Sequence, residues 1–199
     1  MRKQGQDEQL ELWEREDPIP QGLELPSPGS SKQLSDSLFQ AYSTQFTGTL
    51  NTDFARKRPL NLLVADDNEI NRKVICVILE KLGYRCSEAE NGAEALELFK
   101  SKKFDYIFMD LDMPEVTGIE AAKSIRDLES KGGSETPTLQ SEIIAVTANV
   151  SSETRLKCRR AGMNGYLEKP ITAETIKNQL LRSWPRVRSR RARSKSTEL

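Results

Sequence analysis

The stretch Phe104-Asp-Tyr-Ile-Phe-Met-Asp110-Leu-Asp-Met-Pro114 joins an apolar run to two carboxylates and a proline. Its first six residues are apolar except for Asp105, which predicts a buried strand that ends at Asp110. The proline and Gly118 then interrupt the chain before a segment with apolar residues at helical spacing. A buried strand followed by a loop and a helix is the repeating unit of a parallel sheet, so this stretch indicates an α/β fold.

The same alternation of strand and helix extends on both sides of this stretch, over residues 59–183. Four further short apolar runs predict strands: Leu60–Ala65, Tyr84–Ala89, Ile143–Thr147 and Gly165–Glu168. Each run is followed by a loop and a segment with helical periodicity. Strands joined in this way pair in parallel through right-handed crossovers, which place helices on both faces of the sheet. The sequence therefore predicts a doubly wound, five-stranded parallel sheet.

The two flanks of this region differ from it in composition. Residues 1–58 are rich in Gln, Ser, Pro and Glu, which predicts a largely disordered linker. The arginine-rich residues 184–199 predict a basic disordered tail. No apolar run approaches the ~20 residues that span a bilayer, and the three cysteines form no CxxC pair. We therefore expect a cytoplasmic protein with reduced, buried thiols and no membrane contact.

The sequence contains no histidine, and its 30 basic residues balance its 30 acidic residues. The lack of histidine excludes a Ser-His-Asp triad, an imidazole metal site and storage of phosphate on a histidine of this sequence. The zero net charge argues against attraction of the whole molecule to nucleic acid. Any phosphohistidine in the chemistry of this protein therefore belongs to another molecule or another chain.

Five polar residues stand at the carboxyl ends of the predicted strands: Asp66, Asp67, Asp110, Thr147 and Lys169. In open parallel sheets the functional site lies at this edge. Three converging carboxylates repel one another, and Mg²⁺ relieves this repulsion because it binds a few carboxylates and keeps several waters. We predict Asp67 and Asp110 as direct ligands, Asp66 as a direct or water-mediated ligand, and the main-chain carbonyl of Asp112 as a further ligand.

Lys169 and Thr147 complete a set that is suited to phosphoryl chemistry. Mg²⁺ and the Lys169 ammonium would share the oxygens of a phosphoryl group on Asp110. The Thr147 hydroxyl would bond to the same group and pull on the loop after the fourth strand. Each feature alone has a simpler explanation, such as a helix cap, a turn or a hydrogen bond to the backbone. Their coincidence at successive strand ends favours phosphoryl transfer.

Several motifs resemble the response-regulator receiver family: Asp66-Asp67-Asn68, Met109-Asp-Leu-Asp-Met-Pro114, Gly118, Thr147-Ala148, Ala161-Gly162-Met163 and Lys169-Pro170. The resemblance covers about residues 60–181 and implies a flavodoxin-like sheet with strand order 2-1-3-4-5. It implies that Asp110 is the phosphoacceptor, that Asp66 and Asp67 form the acidic pair, and that Lys169 assists catalysis. It also implies that Thr147 and Tyr166 form the switch that responds to phosphorylation.

The sequence around these motifs, such as Ala65-Asp-Asp-Asn-Glu-Ile-Asn71, is most similar to that of receivers of hybrid histidine kinases. On this interpretation the chain is a fragment of such a kinase, and residues 1–58 are a linker with the remnant of a preceding receiver. The resemblance implies phosphorelay signalling with a histidine kinase or a histidine-phosphotransfer protein, self-catalysed phosphotransfer and autodephosphorylation. It also raises the prospect of a phosphorylation-dependent dimer.

The sequence leaves three other functions open. Asp110-Leu-Asp112 also matches the nucleophile and acid/base pair of haloacid dehalogenase phosphatases, but there the acidic metal pair follows the nucleophile, whereas Asp66-Asp67 precede it. A receiver that binds partners without phosphorylation is the second, and the complete set of key residues argues against it. Nucleic-acid binding through the basic C terminus is the third, but no recognisable DNA-binding fold follows Pro185, so we do not expect it.

Overall fold

Strands and helices alternate along residues 52–131 and 140–195, the parts of the chain that the computed structural model describes. The strands are β1 (Leu62–Ala65), β2 (Cys86–Ala89), β3 (Tyr106–Asp110), β4 (Glu142–Thr147) and β5 (Gly165–Glu168). The helices are α1 (Thr52–Lys57), α2 (Glu69–Lys81), α3 (Gly92–Ser101), α4 (Gly118–Lys131), α5 (Ser152–Arg160) and α6 (Ala173–Lys195). All five predicted strands are present, and each begins and ends close to its predicted bounds.

The five strands form one sheet in the order β2-β1-β3-β4-β5, and every neighbouring pair is parallel. The predicted fold is therefore confirmed. All residues of β1, β3 and β4 are buried, as expected for central strands that helices cover on both faces. In the registers, Ala65 lies opposite Met109 and Asp110 lies opposite Val146, so β1, β3 and β4 end at nearly the same level.

Polar side chains in the loops after the strands fix where the helices begin. Asn68 caps α2 by accepting hydrogen bonds from the main-chain N–H groups of Ile70 and Asn71. Asn91 caps α3 and Ser151 caps α5 in the same way, through the N–H groups three residues further on. These caps set the direction in which the chain leaves the sheet, and they lie at the edge where the predicted site residues converge.

The folded region begins earlier than predicted. Helix α1 lies in the segment predicted to be linker, and Phe54 is buried with its ring centroid 6.1 Å from that of Tyr84. The main-chain N–H of Ala55 also donates to the carbonyl of Leu82 at 3.1 Å. The buried ring and this hydrogen bond hold the short helix against the core. The linker prediction is therefore wrong for residues 52–57, while residues 1–51 lie outside the described residues.

The folded region also ends later than predicted. Helix α6 continues to Lys195 with Pro185 inside it, so the disordered tail predicted for residues 184–199 is wrong as far as residue 195. Val187 is buried at 3% exposure, and Arg186 and Arg190 form ion pairs with Glu142 on β4. These contacts hold the helix past the proline, whose missing N–H would otherwise weaken it. Residues 196–199 lie outside the described residues.

Among the helices within the described ranges, none is long and apolar enough to cross a membrane.

Candidate functional site

Three carboxylates meet where β1 and β3 end. Asp110 is the last residue of β3, and Asp66 and Asp67 directly follow β1. One carboxylate oxygen of each residue lies within 4.8 Å of the others. Asp66 and Asp110 are buried, whereas Asp67 is exposed, so the cluster is open to solvent on the side of Asp67. The parallel pairing of two neighbouring strands thus brings together residues that are far apart in sequence.

Lys169 reaches this cluster from the end of β5. Its Nζ lies 2.8 Å from Oδ2 of Asp66 and 3.0 Å from Oδ2 of Asp110. The main-chain N–H of Lys169 donates to the carbonyl of Thr147 at 2.8 Å, which fixes the start of the side chain beside β4. The ammonium group therefore bridges the two buried carboxylates.

The loop after β1 holds Asp66 in place. Its Oδ1 accepts hydrogen bonds from the main-chain N–H of Asn68 at 2.9 Å and from Nδ2 of Asn71 at 3.1 Å. Arg72 donates to the main-chain carbonyls of Asp66 and Asp67 at 2.8 and 3.3 Å. Arg72 is itself buried and forms an ion pair with Glu90 at 2.9 Å. These contacts of Asn71 and Arg72 do not follow from the sequence, because their spacing after the acidic pair also fits an exposed helix face.

The loop after β3 folds tightly around Asp110. The main-chain N–H of Leu111 donates to Oδ1 of Asp110 at 2.8 Å, and the N–H of Gly118 donates to the carbonyl of Leu111 at 3.1 Å. A Cβ at Gly118 would stand 1.9 Å from the carbonyl oxygen of Asp110, which explains why glycine is needed there. Asp112 is exposed in this loop, and the role of its main-chain carbonyl stays a prediction.

The electrostatics of the cluster follow from burial and from an excess of negative charge. Burial, followed by the negative charge of Asp66, raises the pKa of Asp110 above its ordinary value, although Lys169 acts in the opposite direction. Burial acts to lower the pKa of Lys169, but its hydrogen bonds and charge interactions with Asp66 and Asp110 outweigh this and raise it. Three carboxylates face one ammonium group in this cluster, which leaves two formal negative charges. This set of oxygen donors fits a hard divalent cation such as Mg²⁺.

Thr147 and Tyr166 lie on the two strands beside the carboxylate cluster. Thr147 ends β4 and is buried; its hydroxyl donates to the carbonyl of Asn149 and accepts from the N–H of Asn149, at 3.3 and 3.1 Å. Tyr166 on β5 is half-buried, and the guanidinium carbon of Arg155 stands 4.8 Å from its ring centroid. The Thr147 hydroxyl therefore bonds to its own loop, and the Tyr166 ring contacts α5. Their predicted role as a switch stays a prediction.

Comparison with known proteins identifies the family. Residues 62–181, more than half of the chain, match the family model of the response regulator receiver domain. The chain belongs to this family. Hybrid signal transduction histidine kinase E from Dictyostelium discoideum is 42% identical over 123 residues, which cover 61% of the chain. The chain spans only 7% of the length of that kinase and a similarly small share of other curated relatives that it matches.

Solved receiver domains have the same fold. The complex of the Saccharomyces cerevisiae histidine phosphotransfer protein Ypd1 with the receiver domain of Ssk1 matches at 34% identity and a TM-score of 0.59, over 64% of this chain and 89% of the matched one. The receiver domain of the sensor histidine kinase PA1611 from Pseudomonas aeruginosa, solved with magnesium in its active-site cleft, matches at 33% identity and a TM-score of 0.54, over 63% and 96%. Residues 62–181 are thus a receiver domain of the two-component phosphorelay type.

Proposed function

We propose that this receiver domain accepts a phosphoryl group from a phosphohistidine of another protein onto the carboxylate of Asp110, in a reaction that requires Mg²⁺. The observation that carries this proposal is the convergence of three carboxylates and Lys169 at one edge of the sheet. Asp110 is buried there, and its two oxygens are held separately, one by the main-chain N–H of Leu111 and the other by Lys169. A carboxylate positioned in this way is ready for in-line attack on phosphorus.

The transfer needs no additional base, because the attacking group is already a carboxylate. An oxygen of Asp110 forms the new O–P bond while the P–N bond to the donor histidine breaks, and the imidazole nitrogen leaves with the electron pair. Lys169 stands 3.0 Å from Oδ2 of Asp110, so its ammonium can neutralise charge on the arriving phosphoryl oxygens. Water can later attack the aspartyl phosphate, which accounts for self-catalysed dephosphorylation.

The residues that would hold Mg²⁺ are Asp66, Asp67 and Asp110, together with the main-chain carbonyl of Asp112. When bound, the ion supplies positive charge to the phosphoryl oxygens. Two features support this assignment: the cluster carries two formal negative charges that Lys169 does not balance, and the exposed Asp67 leaves it accessible. The magnesium ion in the active-site cleft of the similar PA1611 receiver domain is consistent with it.

Phosphorylation would change the surface through Thr147 and Tyr166. Both hydrogen bonds of the Thr147 hydroxyl go to Asn149, a partner that it can exchange for a phosphoryl oxygen. This exchange would shift the loop between β4 and α5 toward Asp110. The ring of Tyr166 contacts Arg155 on α5, so it would feel any displacement of that helix. A new charge at Asp110 is in this way converted into a change of shape.

The expected partner is a histidine kinase or a histidine-phosphotransfer protein. The similar Ssk1 receiver domain was solved in complex with the phosphotransfer protein Ypd1, which supports this choice. Helix α2 begins next to the acidic pair and carries the exposed Lys73 and the half-buried Asn71 and Val74, so it is the surface on which we expect the partner to dock. A phosphorylation-dependent dimer and a cytoplasmic location also stay predictions.

The deciding experiment is phosphorylation of the purified chain with acetyl phosphate and Mg²⁺, followed by intact mass. We expect one phosphoryl group on the wild type and none on Asp110→Asn or in the presence of a chelator. Asp127→Asn, which removes an exposed carboxylate on α4, is the matched control and should be modified like the wild type. Phosphate on Asp110→Asn would contradict the assignment.

The same experiment separates the two alternative functions. A folded wild type that gains no mass but still binds a phosphotransfer protein would indicate an interaction module that works without phosphorylation. Steady hydrolysis of small phosphomonoesters would instead indicate a phosphatase of the haloacid dehalogenase type. The order of Asp66 and Asp67 before Asp110 in the chain argues against the phosphatase.

A further inference from the structure

Two of the three cysteines are in contact. The sulfur atoms of Cys76 on α2 and Cys86 at the start of β2 lie 2.8 Å apart, although the residues are ten positions apart in sequence. Both side chains are half-buried, whereas the third cysteine, Cys158 on α5, is buried at 1% exposure. A disulfide bond needs a sulfur separation of about 2.0 Å, so the two sulfur atoms already lie close to bonding distance. The sequence predicted reduced, buried thiols, but these two are only half-buried and are in contact.

Cys86 can be reached from solvent. It lines an open cavity of about 480 Å³ at the amino ends of the strands, beside Leu62 at the start of β1. Its remaining lining residues are Asn61, Arg85, Ser87, Lys102, Lys103 and Phe104. Three of these are basic, and their side chains are exposed. A small oxidant can therefore approach Cys86 without any unfolding of the core.

The two thiols are not equivalent. In the neutral pair either sulfur can donate the hydrogen, but once Cys86 loses its proton, Cys76 donates to the thiolate. This hydrogen bond lowers the pKa of Cys86 below its ordinary value, although burial and the nearby Glu88 and Glu80 act in the opposite direction. The same hydrogen bond, together with burial, raises the pKa of Cys76. Burial raises the pKa of Cys158 to about 11 and shields its side chain from reagents in solvent.

We propose that Cys76 and Cys86 are a redox modification site that forms a reversible disulfide with hydrogen peroxide. The sulfur of Cys86 attacks one peroxide oxygen, the O–O bond breaks and hydroxide leaves, which gives a sulfenic acid on Cys86. The sulfur of Cys76 then attacks the Cys86 sulfur, the S–O bond breaks and the S–S bond forms. The two protons of the thiols end in water, so two thiols are oxidised and one peroxide is reduced to two waters.

The disulfide would join α2 to β2 at the end of the sheet opposite the carboxylates. Asp110 and Lys169 lie at the carboxyl ends of the strands, whereas Cys86 pairs in register with the first residue of β1. The proposal therefore does not depend on phosphotransfer. It would close a loop of ten residues between helix and strand, which restricts the unfolded chain and should raise the melting temperature of the oxidised protein.

The test uses the full chain, treated with hydrogen peroxide, quenched, unfolded in urea so that Cys158 is accessible, and labelled with an alkylating agent before intact mass and peptide mapping. We expect a mass lower by two hydrogen atoms before alkylation, one alkylated thiol (Cys158) in place of three after it, and a linked peptide pair that contains Cys76 and Cys86. Dithiothreitol should restore three alkylated thiols. Three free thiols after treatment, a bond that includes Cys158, or a bond between two chains would each overturn the proposal.

Single substitutions test the order of the steps. Cys158→Ser should form the disulfide as the wild type does. Cys76→Ser should stop at a sulfenic acid on residue 86 that dimedone traps, and Cys86→Ser should be oxidised about tenfold more slowly than the wild type. If a variant does not fold, the order in which the thiols of the folded wild type are alkylated serves as the test instead. Cys86 should then be labelled before Cys158. A sulfenic acid trapped first on Cys76, or Cys158 labelled first, would contradict the assigned roles.

Discussion

The two ends of the sheet each carry a cluster of charged side chains, but the charges are balanced differently. At the carboxyl ends of the strands, Asp66, Asp67 and Asp110 surround one ammonium group. At the amino ends, Glu142 is completely buried and receives Arg186 and Arg190 from α6, at 2.7 and 2.8 Å. The first cluster keeps an excess of negative charge, whereas the second has a cation for each carboxylate oxygen.

The amino-end cluster extends to a second carboxylate. Asp105 lies 3.4 Å from Arg191 and accepts a hydrogen bond from the main-chain N–H of Asn61 at 2.7 Å. Arg191 also donates to the carbonyl of Pro59. Buried carboxylates that are matched by cations hold parts of a fold together, while unmatched ones are costly unless a ligand completes them. The difference in charge balance therefore separates a structural cluster from the one that we propose to bind an ion and a phosphoryl group.

The largest expected effect comes from removal of the ammonium group that bridges Asp66 and Asp110. We expect Lys169→Met to slow phosphoryl transfer from acetyl phosphate by a factor of about 10² to 10³, because the ammonium group that neutralises the arriving oxygens is lost. The rate is measured by the time course of intact mass. Lys169→Arg keeps the positive charge in a side chain of different shape, so its transfer rate should fall less than that of Lys169→Met.

The matched control for this change is Lys157→Met on α5. Lys157 forms an ion pair with Glu153 at 2.8 Å, but both side chains are largely exposed, at 63% and 75%. Its removal should leave the transfer rate unchanged and the stability nearly so. Equal losses of rate in the two variants would mean that Lys169 acts only through general stability.

The next largest effect concerns the amino-end cluster, in which Glu142 pairs with Arg186 and Arg190. We expect the double variant Arg186→Met, Arg190→Met to lower the free energy of unfolding by about 3 kcal/mol, because Glu142 would stay buried without its cations. Urea unfolding, followed by circular dichroism, measures this change. Arg188→Met, which removes an exposed arginine from the same helix, should stay within about 0.5 kcal/mol of the wild type. Phosphorylation of Asp110 in the folded double variant should continue, and its loss would contradict the separation of the two clusters.

A smaller effect is expected when Mg²⁺ binds to the carboxylate cluster of Asp66, Asp67 and Asp110. At Mg²⁺ concentrations of 10 to 100 times the dissociation constant, the wild type should gain about 1.4 to 2.7 kcal/mol of stability, because the ion binds only the folded chain. The gain should fall strongly in Asp66→Asn and persist in the Arg186→Met, Arg190→Met double variant. Urea unfolding with and without Mg²⁺ measures it. An equal gain in Asp66→Asn would place the ion elsewhere.

The cluster at the carboxyl ends of the strands could be predicted from sequence, because each of its residues is marked by a local pattern. Each site residue stands at the end of a short apolar run, and parallel strands of similar length end at one edge, so the positions of Asp66, Asp110 and Lys169 follow from strand order alone. The tightness of the turn at Gly118 was not predicted, because the sequence does not show that the chain passes so close to the carbonyl of Asp110.

The opposite edge was missed for a physical reason. Glu142 precedes a hydrophobic run and resembles an exposed residue that starts a strand, while Arg186 and Arg190 resemble a solvated tail. Their pairing joins residues 44 or more positions apart, and no local pattern reports a contact of that range. The contact of Cys76 with Cys86 was missed in the same way, because the spacing of two cysteines does not give the path of the helix and strand between them.

The smallest expected effect is at Thr147, whose hydroxyl should affect both the stability of the fold and the response to phosphorylation. Thr147→Val keeps the shape and loses both hydrogen bonds to Asn149, so we expect a loss of about 1 kcal/mol in stability and little change in the transfer of phosphate to Asp110. The phosphorylated variant should, however, lack the protection of residues 148–151 that hydrogen–deuterium exchange should detect in the phosphorylated wild type. Thr147→Ser retains the hydroxyl and should retain this protection. Protection in Thr147→Val equal to that in the wild type would show that a group other than this hydroxyl links the charge at Asp110 to the loop.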